Sequence, residues 1–244
     1  MSSLFSIPRA PKLKIATSTL NDGNMSYRLG QVETVTNNRQ KFLHSMSIDP
    51  SLCVAMEVEH DCHISLVDSS CQGRGLVNQN YLLADALLTT QTNLFLFLLT
   101  ADCFPVVIYN QTTPTLALIH AGWQSADSGI IEKTLNTLAI LGANPQNSLV
   151  WIGPGIDKSS YLVEHPKQKK SKKWQSFIKQ SVGQTYQIDL KNFIASRLTR
   201  QGVLNQNIHF SDTDTATSDK YFSHYHSKHT NQPEARFATV AGLI

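Results

Sequence analysis

Charge is scarce in this chain. Only 16% of its 244 residues are Asp, Glu, Lys or Arg, and the formal net charge is +3. So small an excess does not make a nucleic-acid-binding surface by itself, and no nucleic-acid partner is expected. Long hydrophobic runs are missing too. The longest, Leu94 to Leu99, is far short of a bilayer span, so no membrane role is expected. The N-terminal stretch MSSLFSIPRAPKLK lacks the apolar core and small-residue cleavage site of an export signal. Four cysteines (Cys53, Cys62, Cys71, Cys103) are too few for a disulfide scaffold at this length. These absences together lead to a cytoplasmic expectation.

What remains is the composition of a folded globular protein, with 41% apolar residues and enough chain to bury a substantial core. One basic stretch stands out, PKQKKSKKW (Pro166 to Trp174), with five lysines in nine residues. A solvated loop or exposed helix start accounts for it more simply than a polyanion site.

Strand and helix patterns interleave without a clear linker or internal repeat. Short strands are predicted over Lys14–Thr19, Ser51–Val58, Ile64–Val67, Asn93–Leu99, Val106–Tyr109, Thr115–His120 and Leu149–Ile152. Helices are predicted over Glu33–Met46, over Ser128–Leu141 ending at Gly142, and from Asp189 to Gly202. Ala84–Thr89 reads as apolar and helix-compatible. The economical architecture is one α/β domain over residues 1–244, with Pro166–Lys173 its most flexible segment.

Three positions carry the chemistry: Cys103 in TADCFPVV, His120 in IHAGW, and His60 in EVEHDCHISLV. Thiolate and neutral imidazole suit zinc, and three protein ligands with a fourth position open is the catalytic arrangement. Each residue also has an ordinary reading. Buried cysteine is usually a small hydrophobe, and a strand-end histidine is usually a satisfied core residue. Their placement at the ends of successive apolar runs favours a site. If Glu57 to Val67 is extended, His60 and Cys62 face one side and His63 the other, and spacing alone leaves His60 and His63 open as ligands. The second histidine group, His224, His226 and His229 in SHYHSKH, reads as polar surface loop, with donation to a ligand or adventitious metal binding as the alternative.

Taken together, LADALLTT, TADCFPVV, IHAGW, WIGPGI, Tyr161, DLKN, YFSHY and RFATVAGLI resemble the multicopper polyphenol oxidase family, also described as the laccase-domain or purine nucleoside phosphorylase family. The resemblance spans most of the chain. It implies a single domain layered α/β/β/α with mixed sheets, and zinc held by His60, Cys103 and His120. It also implies action on purine nucleosides, by phosphorolysis of adenosine or inosine, by adenosine deamination, or both. Phosphate is the co-substrate of the first branch. One thiolate and two imidazoles with no axial-ligand motif favour zinc over copper.

Cys103, Asp102 and His226 are the catalytic candidates on this reading, and Gln124, Arg236 and Ser223 the substrate-binding ones. The chain departs from the family where the family carries arginine, with Leu20, Gln124 and Tyr225 in those places. The family's cysteine-threonine pair falls on Asp214-Thr215. Arginine binds phosphate through a planar, permanently charged fork, which those three residues lack. Deamination needs no phosphate site and tolerates the losses better. The alternatives are a zinc hydrolase for another small substrate, such as an amide, and a diverged metal-binding protein without catalysis.

Overall fold

The computed structural model describes residues 2–8 and 10–244. Two six-stranded mixed sheets form the centre of the fold. The first runs, in spatial order, Ser3–Phe5, Leu13–Thr17, Phe237–Leu243, Phe95–Thr100, Cys53–Glu57, Leu82–Leu83. The second runs Ile208–Phe210, Ser148–Ile152, Phe104–Asn110, Thr115–Ala121, Ala86–Thr89, Ile64–Leu66. Three short strands, Leu162–Glu164, Thr185–Ile188 and Ile178–Gln180, make a separate small sheet.

The sheets face each other through a shared apolar layer that includes Ile15, Val54, Leu96, Leu98, Val107, Leu118 and Trp151. Helices cover the outer faces. Val32–Ser45 buries Val35, Arg39, Phe42 and Leu43, at the spacing of one helical face, against the first sheet. Ile130–Ile140 and Leu190–Arg200 pack on the second sheet through Ile131, Leu135, Phe193 and Leu198. This is the α/β/β/α layering that the resemblance implied. The Asp189 carboxylate accepts the Asn192 N–H at 3.1 Å and starts the last of these helices. Such a cap is worth about 1 kcal/mol.

Several local readings need correction. Ala84–Thr89 is not helical: Ala86–Thr89 is a strand between Thr115–Ala121 and Ile64–Leu66. Leu88 points into one core and Leu87 into the other, so burial on both faces erases the polar alternation that marks a strand. The strand at Cys53 stops at Glu57, and His60 turns the chain at φ +60°. Alternation of faces therefore says nothing about His60, Cys62 and His63. SHYHSKH is no loop, since His224–His229 is a short helix whose start is capped by Ser223.

The lysines of the basic stretch are exposed, as expected, but the segment is anchored rather than loose. It forms two 3-10 turns, Lys167–Lys170 and Lys172–Phe177. Trp174 is fully buried, stacks on Phe193 at 3.7 Å, and donates to the Asp127 carboxylate at 2.9 Å.

Candidate active site

Cys103 sits in the bend between strands Phe95–Thr100 and Phe104–Asn110. The residue before it fixes that bend. Asp102 has φ +79°, a region that few non-glycine residues adopt and that Asp tolerates better than most. Its carboxylate accepts from the Thr215 hydroxyl at 2.7 Å and from the Tyr225 N–H at 2.6 Å. Its carbonyl accepts from the Ile156 N–H at 2.9 Å. Both side-chain oxygens thus tie the Cys103 turn to the segments that carry Thr215 and Tyr225.

His120 lies in strand Thr115–Ala121, paired with Pro105, and is 2% exposed. Its Nδ1 is 3.2 Å from an Asp85 oxygen. Asp85 is fully buried, and its two oxygens also accept the backbone N–H groups of His60 (2.9 Å) and Asp61 (3.0 Å). One carboxylate therefore orients the His120 ring and holds the turn that carries His60. Although burial alone would raise its pKa, the bonds from His120 and from the Asp61 and His60 backbone hold Asp85 below the usual carboxylate range.

The His60 and His120 rings meet edge-to-face at 4.9 Å, and His120 also hydrogen-bonds Cys103. Burial works against charge on His120, but the neighbouring Cys103 and Asp85 outweigh it and push the pKa up to about 9. His60 is shifted the other way. Partial burial, His120 and the Arg236 charge pull its pKa below the usual histidine value against the opposing pull of Asp85. His63 points elsewhere, exposed and 2.6 Å from Glu59.

Gly122 is what lets Cys103 and His120 lie together. A Cβ there would fall 2.9 Å from the Cys103 sulfur and 3.3 Å from the His120 ring. Gly122→Ala is therefore expected to push the two donors apart. It should lower kcat/KM by about tenfold, a shift of ~1.4 kcal/mol in the barrier, with the melting temperature little changed. Full activity in that variant would show that the approach of the two side chains is unimportant.

His60, Cys103, His120, His224 and Arg236 line one cleft of about 400 Å³. The other sequence-derived candidates lie off it. Gln124 is exposed, Ser223 caps the His224 helix, and the His226 N–H donates to that cap. Leu20 and Tyr225 do not line the cleft either, but Arg28, Arg39 and Arg236 do. Sequence reading missed Asp85, Arg28, Arg39, Tyr27 and Tyr81, and it singled out His224 only as one of the SHYHSKH histidines. Only Asp85 had a signal, a buried acid inside the LADALLTT segment.

Among the described residues, no three His, Cys, Asp or Glu side chains converge closely enough to hold an ion as they stand. The chemistry of His60, Cys103 and His120 nevertheless suits one: a soft thiolate, two imidazoles, and a carboxylate behind one of them to fix its ring.

A family model described as multi-copper polyphenol oxidoreductase laccase matches residues 14–243. Purine nucleoside phosphorylase Cgl2154/cg2365 of Corynebacterium glutamicum is 30% identical over 131 residues, which is 54% of this chain and 52% of that protein. Purine nucleoside phosphorylase YfiH of Escherichia coli K12 is 30% identical over 159 residues, 63% of each chain. The matched stretches thus span between about half and two thirds of these relatives. A purine nucleoside phosphorylase of Xylella fastidiosa Temecula1 is 27% identical over 236 residues, 92% of this chain and 85% of that one. Among solved structures, YlmD from Geobacillus stearothermophilus superposes with a TM-score of 0.90 at 23% identity, covering 97% and 94% of the two chains. The Bacillus licheniformis hypothetical protein YfiH gives 0.89 at 24% identity, with 99% and 97% covered. These structural likenesses bear on the fold, while the family model spans nearly the whole sequence. The chain belongs to the multi-copper polyphenol oxidoreductase laccase family.

Proposed function

We propose that this protein is a purine nucleoside phosphorylase whose centre is a divalent metal, zinc by its donor set, held by His60, Cys103 and His120. One observation carries the reading: these three residues line one cleft large enough for a nucleoside, and buried Asp85 bonds to His120 and to the His60 backbone. The names of the relatives above give the reaction class its support. A bound divalent ion there would supply Lewis acidity, drawing electron density from a substrate oxygen or nitrogen.

The chain's own residues supply the rest. The surroundings of His60 favour its neutral form, the form that binds a metal, and Asp85 leaves the far nitrogen of His120 facing Cys103. Arg236 and His224 bring cationic and hydrogen-bonding capacity to the same cleft. Both are held by Glu234, at 2.8 Å and 2.7 Å. The absence of arginine at Leu20, Gln124 and Tyr225 thus does not leave the cleft without arginine. Phosphorolysis breaks the bond between purine N9 and ribose C1′ and forms a bond from C1′ to a phosphate oxygen. The proton of hydrogen phosphate leaves on the base, so charge balances. Fixed cations beside an anionic nucleophile lower that barrier because they are oriented beforehand. Adenosine deamination is the second branch of the proposal, kept because a metal centre of this donor type serves it without phosphate.

Product analysis with inosine and with adenosine, each with and without phosphate, tests the reading. Phosphate-dependent release of free base that is lost on chelation and restored by zinc is the expected result. Inosine formed from adenosine without phosphate would assign the deaminase branch. No turnover of either nucleoside by metal-loaded protein would leave a different small substrate, such as an amide, or a binding role.

A further inference from the structure

Phosphorolysis moves a proton as well as a glycosyl group, and few side chains of the cleft can carry one. Arg28, Arg39 and Arg236 stay protonated at any working pH and give no proton up. Glu57 is engaged by Arg28 in an ion pair. His60, Cys103 and His120 serve as metal ligands in the phosphorylase reading. Burial moves the Tyr81 hydroxyl further from neutrality, and Tyr27 shares its hydroxyl with Thr36 at 3.0 Å. His224 is left, a side chain of the type that gains and loses a proton near neutral pH.

The His224 ring is oriented from outside the cleft. Its Nδ1 lies 2.7 Å from Glu234 Oε1, and the same oxygen accepts from Arg236 Nη2 at 2.8 Å. The bonds from Arg236 and His224 hold the Glu234 carboxyl below its usual range. A carboxylate only accepts, so Nδ1 carries the hydrogen of that bond and Nε2 is the nitrogen free to pass a proton. Glu234 does not line the cleft and His224 does, which leaves the Nε2 edge of the ring to the cleft. The backbone beside His224 is pinned as well. The Tyr225 N–H donates at 2.6 Å to Asp102, the neighbour of Cys103, and the His226 N–H donates at 2.9 Å to the Ser223 hydroxyl.

We propose that His224, oriented by Glu234, is the acid–base residue that protonates the departing purine. This role rests on the phosphorolysis reading of the preceding subsection and goes beyond it. The bond from N9 to C1′ breaks with its electron pair on the base, and the Nε2 proton passes to a ring nitrogen of that base. C1′ takes an oxygen of hydrogen phosphate, whose own proton restores Nε2. The acid–base role expected of His226 thus falls two residues earlier, because His224 lines the cleft and His226 does not.

7-Methylinosine separates a proton donor from a structural residue, because its base already carries a positive charge and leaves without a proton. Phosphorolysis of inosine and of 7-methylinosine is followed in zinc-loaded wild type, His224→Gln and Glu234→Ala, with a thermal melt of each. Both side chains are more than a third exposed, so neither substitution empties a core. His224→Gln should lower kcat for inosine by about a hundredfold, the lower end of what a positioned proton donor supplies, and leave kcat for 7-methylinosine within about threefold. Glu234 is a positioning residue, and Glu234→Ala should repeat that selectivity at about tenfold. It decides alone if His224→Gln does not fold. Equal losses with both substrates would make His224 a structural or substrate-holding residue and overturn the role. Inosine turnover by His224→Gln at the wild-type rate overturns it too and leaves the phosphorylase reading standing. Wild type that releases base from neither substrate removes that reading, and this role with it.

Discussion

Cys103→Ala is expected to lower kcat/KM for inosine phosphorolysis by about a thousandfold, ~4 kcal/mol of transition-state stabilisation. The same substitution is expected to leave the fold intact. The size of the effect follows from what the residue alone provides. His60 and His120 are neutral donors when they bind a metal, so the Cys103 thiolate is the only anionic ligand in the cluster. The tolerance of the fold follows from its position. Cys103 occupies a bend, is only partly buried, and belongs to none of the three apolar clusters that pack the layers. Steady-state product release, metal content per chain and a thermal melt would be measured on the same preparation. Loss of turnover and metal with an unchanged melt supports the assignment. Turnover within tenfold of wild type would remove Cys103 from the centre. Metal bound by wild type without turnover of any nucleoside would favour the non-catalytic alternative.

Much of the fold was legible because its strands are apolar runs between turn residues, and its helices bury one regular face. Thr115–Ala121 and Leu190–Arg200 are plain cases, each bounded close to where the pattern breaks. Ala86–Thr89 was not legible, since a strand with both faces buried and only four residues long leaves no alternation to read. His60 illustrates a different limit. Its side chain reaches His120 because the chain turns there through a left-handed residue, which a strand reading of EVEHDCH excludes. The site is legible in part for a related reason. Cys103 and His120 stand at the ends of strands that pair directly, so sequence order already brought them together. Arg28, Arg39, Tyr27 and Tyr81 enter the cleft from segments far along the chain, and their roles exist only once the first helix has packed on its sheet. Gln124 and Ser223 show the converse: alignment with the family placed them at the substrate, yet one faces solvent and the other caps a helix.

The second large effect is expected at Asp85, which touches no substrate in this reading. Asp85→Ala should reduce metal affinity and kcat/KM by about 10- to 100-fold, the usual consequence of removing the group that orients a ligating imidazole. Unlike Cys103→Ala, it should also destabilise the protein. Deleting the carboxylate leaves the His60 and Asp61 N–H groups without their acceptor, at ~1–3 kcal/mol for each group that stays buried. Asp85→Asn separates the two roles. Its one remaining oxygen can still accept either from His120 or from the backbone, but its amide must face an N–H donor where an acceptor stood. The asparagine variant is therefore expected to keep more of the melting temperature than the alanine one, yet to lose a similar share of metal affinity, because a fixed His120 ring depends on the full pattern of acceptors. Metal titration by competition with a chelator, beside thermal melts of both variants, reads this directly. Should both variants bind metal as tightly as wild type, His120 would be oriented by its strand alone, and the buried carboxylate would be a structural clasp for the His60 turn.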